Sequence, residues 1–327
     1  MDMKEAIKGF PAQFAYEPQI ENEAARERRE KFAVVGMGGS HLTAGLIAVW
    51  KPELDLVIHR DYGLPILSDL KDRLIILSSY SGNTEEVIEG FHRGRKEGLA
   101  MCAIATGGEL LALAREACIP YIAMPKIGIQ PRSATGFGVK ALLAVMDEQE
   151  ASREIAALCH TLSSEQYEAE GKKLAQELRD CVPVIYASTR NGPIAYTWKI
   201  TFNETGKIPA FSNVFPEMNH NEMTGFDVFP RTQRLSERFS FIFLTDDKDD
   251  ERVKHRMKIV QEFYAQRGLP VRRIPITGAS AWIKIFSSLL LADWAAYYTA
   301  EAYGVEVNEV PMVELLKERL REKRGIQ

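Results

Sequence analysis

Five short apolar runs, each followed by a stretch long enough for a helix, constrain this chain more than any other feature. They are "FAVVG" (32–36), "DLVIH" (55–59), "RLIIL" (73–77), "MCAIA" (101–105) and "IPYIAM" (119–124). Runs of this length are strands rather than helices, and continuous apolar character suits strands buried on both faces. Strands joined by helical crossovers pair in parallel, so the first half predicts a doubly wound α/β sheet. From about Glu148 to Asp180 the chain is dense in Glu, Lys, Ala and Leu and reads as a helical connection. A second set follows: strand-like "PVIYAS" (183–188), "FSFIFLT" (239–245) and "VRRIPI" (271–276), with helical patterns over 249–267 and 279–303. A length of 327 residues suits two domains, each able to bury a core. The expected division is 1–150, a connection over 151–180, and 181–327 with a C-terminal helix.

The halves echo each other. "VVGMGGSHLTAGLIAVW" resembles "IYASTRNGPIAYTWK", each a strand, a small-residue turn and a helix ending near Trp, and "RLIILSSYSGNTEEVIEGF" parallels "FSFIFLTDDKDDERVKHRM". In the first half, "GMGGS" and "SYSGNT" stand between a strand and a helix start, and Thr84 before Glu85 and Glu86 reads as an N-cap. Free N–H groups, hydroxyls and a helix dipole at such a turn favour an anion. The alternative is an ordinary capped turn with solvated hydroxyls. In the second half the equivalent turn carries Asp246, Asp247, Asp249 and Asp250, which repel a phosphate, so only the first half is expected to bind one. The glycines at 36, 38 and 39 do not make GxGxxG, which disfavours a dinucleotide.

Bulk properties exclude several classes. A formal charge of −4 leaves no nucleic-acid footprint, and the basic "KERLREKRG" near the C-terminus reads as the solvated end of a helix. Cys102, Cys118, Cys159 and Cys181 show no metal spacing, and the six histidines form no HxxxH pair, so neither a metal nor a cofactor is expected. No leader or membrane-spanning run is visible, and a reducing cytoplasm is the expected location.

Taken together, "GMGGS", "SYSGNTEE", "PRSATG" (131–136), "WKITFNETGKIPAF" (198–211) and "NHNEMTGF" (219–226) resemble the double-SIS-domain sugar isomerases, specifically the bifunctional phosphoglucose/phosphomannose isomerase family. The resemblance covers nearly the whole chain, and the "NE" and "NHNE" pair is its most specific part. It implies an α/β/α sandwich with two SIS-type doubly wound parallel-sheet domains. It also implies a metal-independent aldose–ketose isomerase that interconverts glucose 6-phosphate, and mannose 6-phosphate, with fructose 6-phosphate through a cis-enediol. By the same resemblance Gly39, Ser40, Ser79, Ser81 and Thr84 anchor the phosphate, Glu204 is the base, and Arg132 stabilises the enediolate. His220 opens the sugar ring from the neighbouring subunit of a homodimer, and Lys317 assists it. On residues alone, Glu204 reads as a surface helix glutamate, and a solvated helix face explains the cluster around Lys317 equally well. Two departures stand out: His41 replaces the glycine usual after "GGS", where it would crowd the phosphate pocket or add a cation, and "VNEVPMVELLKERL" lacks the threonine associated with mannose acceptance. A phosphosugar-binding sensor without chemistry is the alternative function.

Overall fold

The computed structural model describes the backbone of residues 1–324 and the side chains of 1–320. All eight expected runs are strands. The first sheet contains β1 (Lys31–Gly36), β2 (Leu56–His59), β3 (Arg73–Ser78), β4 (Met101–Ala105) and β5 (Tyr121–Ala123), parallel throughout, in the order β2-β1-β3-β4-β5. The second contains β6 (Val182–Ser188), β7 (Phe211–Phe215), β8 (Phe239–Asp246) and β9 (Val271–Ile276), again parallel, in the order β7-β6-β8-β9. The second order repeats the first four places of the first, as the internal echo implied. β7 was not expected. Its "FSNVF" is interrupted by polar residues, which an edge strand with only one neighbour tolerates.

Helices α1 (Met3–Lys8), α2 (Gly39–Trp50), α3 (Glu85–Glu97), α4 (Gly108–Glu116) and α5 (Thr135–Val145) belong to the first half. The connection is divided into α6 (Gln149–Ala156), α7 (Leu158–Thr161) and α8 (Glu168–Glu177). Then come α9 (Gly192–Glu204), α10 (Gln233–Ser236), α11 (Glu251–Gln266), α12 (Ala281–Tyr303) and α13 (Pro311–Arg324). Among the described residues no helix is long and apolar enough to cross a membrane.

The period-two alternation of each strand sorts side chains into layers. Ala33, Val35, Ile75, Leu77, Met101 and Ala103 face outward onto Val87 and Phe91 of α3 and Leu110 and Ala114 of α4. Their neighbours Phe32, Val34, Leu74, Ile76, Cys102 and Ile104 face the opposite way, into a cluster that also takes Ile185, Ala187, Ile242 and Leu244 from the second sheet. Both halves therefore contribute to one continuous apolar layer, filled by α2, α5, α9 and α12. On the far side, Val184, Tyr186, Phe241 and Phe243 pack on Met257, Val260 and Tyr264 of α11. Trp50, at the end of α2, stacks on Trp282, at the start of α12, with ring centroids 5.1 Å apart.

Trp198 on α9 is fully buried in the shared layer, and its indole N–H donates to Ser288 Oγ on α12 at 3.0 Å. Trp198→Ala removes that bond and leaves a large void, so a destabilisation of about 3–5 kcal/mol is expected in urea unfolding followed by far-ultraviolet circular dichroism. A loss below about 1 kcal/mol would mean that α9 and α12 repack around the gap.

Candidate active site

Because β1 and β3 are adjacent and parallel, with Gly36 opposite Ser78, their carboxyl-end turns open side by side. One turn leads into α2 and the other into α3, so two helix N-termini converge on the same crevice. Ser40 Oγ accepts the Tyr80 N–H at 2.9 Å and ties the turns together. Ser79, 1% exposed, accepts the Gly82 N–H at 3.0 Å and lies 2.8 Å from Thr84 Oγ1. Ser81 is exposed, and its Oγ accepts the Asn83 N–H at 3.2 Å. Thr84 occupies the expected N-cap position in extended conformation, but its side chain makes no capping bond, the hydroxyl being turned to Ser79. Gly82 is required at its place: its φ is +72°, and a Cβ there would come within 1.8 Å of the Gly107 carbonyl oxygen.

The short helical turn Pro131–Ser133 brings Arg132 against the start of α2, so closely that a Cβ on Gly39 would lie 2.7 Å from the Pro131 oxygen and 3.0 Å from Arg132 N. The guanidinium is buried. Its Nε donates to Thr205 Oγ1 at 2.9 Å, Nη1 to Glu204 Oε2 at 3.3 Å and Nη2 to the Val307 carbonyl at 2.7 Å. Burial lowers its pKa from the ordinary guanidinium value, against the opposing fields of Glu204 and Asp293, and an arginine so placed stays charged. Glu204 is the last residue of α9 and its side chain is 36% exposed, so its carboxylate is held from one side and open on another. Lys207, in the left-handed region at φ +56°, donates to the carbonyls of Glu204 and Glu309. Its pKa is lowered by burial and then by the Arg132 charge. The pair of Arg132 and Glu204 thus sits beside the α2 end of the crevice, with the segment 307–309 closing behind it.

Asp293 was not anticipated. It lies on α12, and burial pushes its carboxyl up to about 7 against the Arg132 charge. A signal did exist: it stands alone in "LLLADWAAYY", an acid in the middle of a long apolar helix.

The remaining candidates lie elsewhere. α9 starts at the carboxyl end of β6 and its 13 residues span about 20 Å back along the sheet, leaving Glu204 at the opposite end. His220 follows the carboxyl end of β7, exposed on the helical turn Glu217–His220. One chain therefore places Glu204 and His220 toward opposite ends of the second sheet. The "NHNE" loop is fixed by the Glu222 carboxylate, which accepts from Tyr186 Oη and Asn213 Nδ2. Lys317 is exposed on α13 and pairs with Glu314 at 2.7 Å, as a solvated helix position would. The side chains that end the basic stretch, from Arg321 onward, lie outside the described residues. His41 neither crowds the turn expected to hold a phosphate nor adds a cation to it: its ring faces Tyr196 at 5.7 Å, and burial followed by the Arg60 charge pushes its pKa down to about 4.

The second-half turn is occupied by its own charges. Asp246 and Asp247 accept from Lys284 Nζ, and Asp249 accepts from the Asp246 N–H at 2.9 Å and Asn191 Nδ2 at 3.1 Å. Among the described residues no group of three or more His, Cys, Asp and Glu is placed to hold a metal ion.

Residues 167–320 match the family model described as the bacterial phospho-glucose isomerase C-terminal SIS domain. The chain is 30% identical to the bifunctional phosphoglucose/phosphomannose isomerase of Aquifex aeolicus, covering 98% of both proteins. It is 31% identical to the protein of that name from Caldicellulosiruptor bescii, covering 98% of this chain and 99% of that one. Among solved structures, glucosamine-6-phosphate deaminase from Thermotoga maritima superposes with a TM-score of 0.69 at 15% identity, over 94% of this chain and 96% of that one, a likeness of fold.

The raised pKa of Asp293 carries a pH dependence. An acid raised from 3.8 to about 7 on folding stabilises the folded chain while protonated, and that stabilisation is lost as pH rises through about 7. Asp293→Asn keeps the neutral shape. It is expected to match the parent near pH 4 and to exceed its stability by at least about 1 kcal/mol at pH 8 in paired urea titrations. A difference that stays flat with pH would show that the carboxyl is not raised.

Proposed function

The chain belongs to the bifunctional phosphoglucose/phosphomannose isomerase family and is a sugar-phosphate isomerase, and we propose that it interconverts glucose 6-phosphate and mannose 6-phosphate with fructose 6-phosphate by a metal-independent proton transfer through a cis-enediol. The observation that carries this reading is the buried Arg132 holding the Glu204 carboxylate beside the α2 terminus, in the same crevice as the Ser79–Thr84 turn.

The anchor consists of Gly39, Ser40, Ser79, Ser81 and Thr84. Helix N-termini supply N–H donors and dipoles, and the Ser79–Thr84 hydroxyl pair leaves one donor free to turn to a phosphate oxygen. Fixing the phosphate sets the register of the carbon chain, so the base meets C1 and C2 and no other carbon. Ionised Glu204 takes the C2 proton of the open-chain aldose while the C1 carbonyl oxygen gains a proton, giving the enediol. Return of a proton to C1 and loss of the one on O2 give the ketose. Arg132 lies where charge develops on the enediolate oxygens, and a guanidinium already buried and bonded reorganises little as that charge appears. The enediol has no stereocentre at C2, so one base can serve both epimers.

Ring opening falls to His220 of the partner subunit, with Lys317 assisting, in a homodimer with shared sites. Two features support an assembly. α13 leaves Met312, Leu315 and Leu316 at 83%, 51% and 58% exposed, and Phe229 and Leu235, at 62% and 74%, are exposed beyond the "NHNE" loop.

A proton NMR time course of fructose 6-phosphate in deuterated water with a chelator tests the reading. Glucose and mannose 6-phosphates with deuterium at C2 are expected. Binding without turnover would replace the reading with a phosphosugar sensor, and activity lost to the chelator but restored by a divalent cation would overturn the metal-free route. Glu204→Gln is expected to lower kcat at least 10³-fold with KM nearly unchanged, and a residual rate above about a tenth would remove it as the base. Thr84→Val should chiefly raise the Kd for fructose 6-phosphate, by about tenfold, in isothermal calorimetry. An unchanged Kd would remove it from the anchor.

A further inference from the structure

The one buried histidine near the crevice is turned away from it. α2 advances 100° per residue, so His41 lies about 200° around the helix from Gly39. Gly39 faces the Arg132 turn, whereas His41 and, one turn later, Gly45 face α9, where a Cβ on Gly45 would meet Pro193 at 3.1 Å. Behind them lies a cavity of about 370 Å³ between the edges of the two sheets. Its lining includes His41, Ile58, Arg60, Tyr196, Ser212 and Asn213. His41 is 7% exposed, and neither ring nitrogen makes a well-formed hydrogen bond, the Gly38 carbonyl giving its N–H only weak support. A neutral imidazole carries one N–H donor and one acceptor, and a buried ring with neither well bonded requires an explanation.

We propose that this cavity is a second binding site, for a small oxyanion, separate from the phosphate anchor on the other side of α2. The charged side chain among its lining residues is cationic, that of Arg60. Arg60, just past β2, lies 5.6 Å from the Tyr196 ring centroid, and Lys199 on α9 lies 5.7 Å from the same ring. No charged side chain of α2 or β7 lines the cavity. The carboxylate bonded to the lining residue Asn213, that of Glu222, is also engaged by Tyr186, and Asn213 Oδ1 accepts the Val214 N–H. An anion beside Arg60 would give the His41 N–H a full acceptor and a bidentate partner for the guanidinium. It would also offset the Arg60 field that, after burial, holds the imidazole neutral, so the ring would take up a proton as the anion binds. The site rests on residues outside the proposed isomerase machinery and does not depend on that assignment.

The test is a histidine-detected NMR titration of the full chain with inorganic phosphate and, separately, malonate, the His41 signal being identified by its disappearance in His41→Asn. Either anion is expected to move the His41 resonance and to raise its pKa by at least one unit, and the tighter of the two identifies the class of oxyanion. Arg60→Ala should weaken that response at least tenfold. Thr84→Val, which weakens only the anchor, should leave it in place. No response up to tens of millimolar, as would follow if a second copy of the chain fills the cavity, overturns the proposal. A response abolished by Thr84→Val also overturns it, because His41 would then be sensing the anchor.

Discussion

The burial of the Arg132 guanidinium is the constraint on which the rest of the crevice depends. A buried charge is tolerated only when its donors are matched, and here the partners come from separated parts of the chain: Glu204 and Thr205 at the end of α9, and the Val307 carbonyl beyond α12. Its own backbone abuts Gly39 at the head of α2. One side chain thus ties the first half, the second half and the C-terminal segment together at the crevice. The carboxylate it holds is aimed as a consequence of that packing, and Lys207 fixes the same corner through the Glu204 carbonyl.

The layers explain why two repeated halves produce one crevice. Both sheets have the same strand order, so each offers a turn at the carboxyl end of its second-placed and third-placed strands. In the first half that turn is lined by hydroxyls and N–H groups. In the second the corresponding turn holds Asp246, Asp247 and Asp249, satisfied by Lys284 and Asn191. A network of this kind stabilises the turn and opposes an incoming anion by charge. The shared apolar layer, held at one end by the Trp50–Trp282 stack, lets the second half bring Glu204 beside the hydroxyl-lined turns of the first.

The fold was legible in the sequence because continuous apolar runs and helix-length crossovers leave few alternatives. The missed strand, β7, is an edge, where burial no longer forces an apolar pattern. Local spacing also revealed the two first-half turns, since strand, small residues and helix are contiguous there. The meeting of Arg132 with Glu204 was beyond local pattern: they are 72 positions apart and are joined by packing of whole helices. The resemblance nominated both residues. Geometry adds what surrounds them, Thr205, Lys207, the Val307 carbonyl and Asp293. His41 shows the converse. Its place after "GGS" suggested an effect on the phosphate turn, but two residues of helix rotate a side chain to the far face.

α9 also bears on the number of chains a site would need. It begins at the carboxyl end of β6 and ends with Glu204, so the residue proposed as base and the "NHNE" loop after β7 are separated by about the length of the helix. No rotamer change closes a gap of about 20 Å, and the loop itself is held by Glu222 between Tyr186 and Asn213. If His220 takes part in the chemistry proposed for Glu204, a second copy of the chain must bring it. The exposed apolar positions on α13 and after the "NHNE" loop are where such a copy has surface to cover. Under that reading the fold divides the reaction by rigid distance. Proton transfer between carbons is assigned to groups locked together inside one chain, and ring opening to a group that arrives only on assembly.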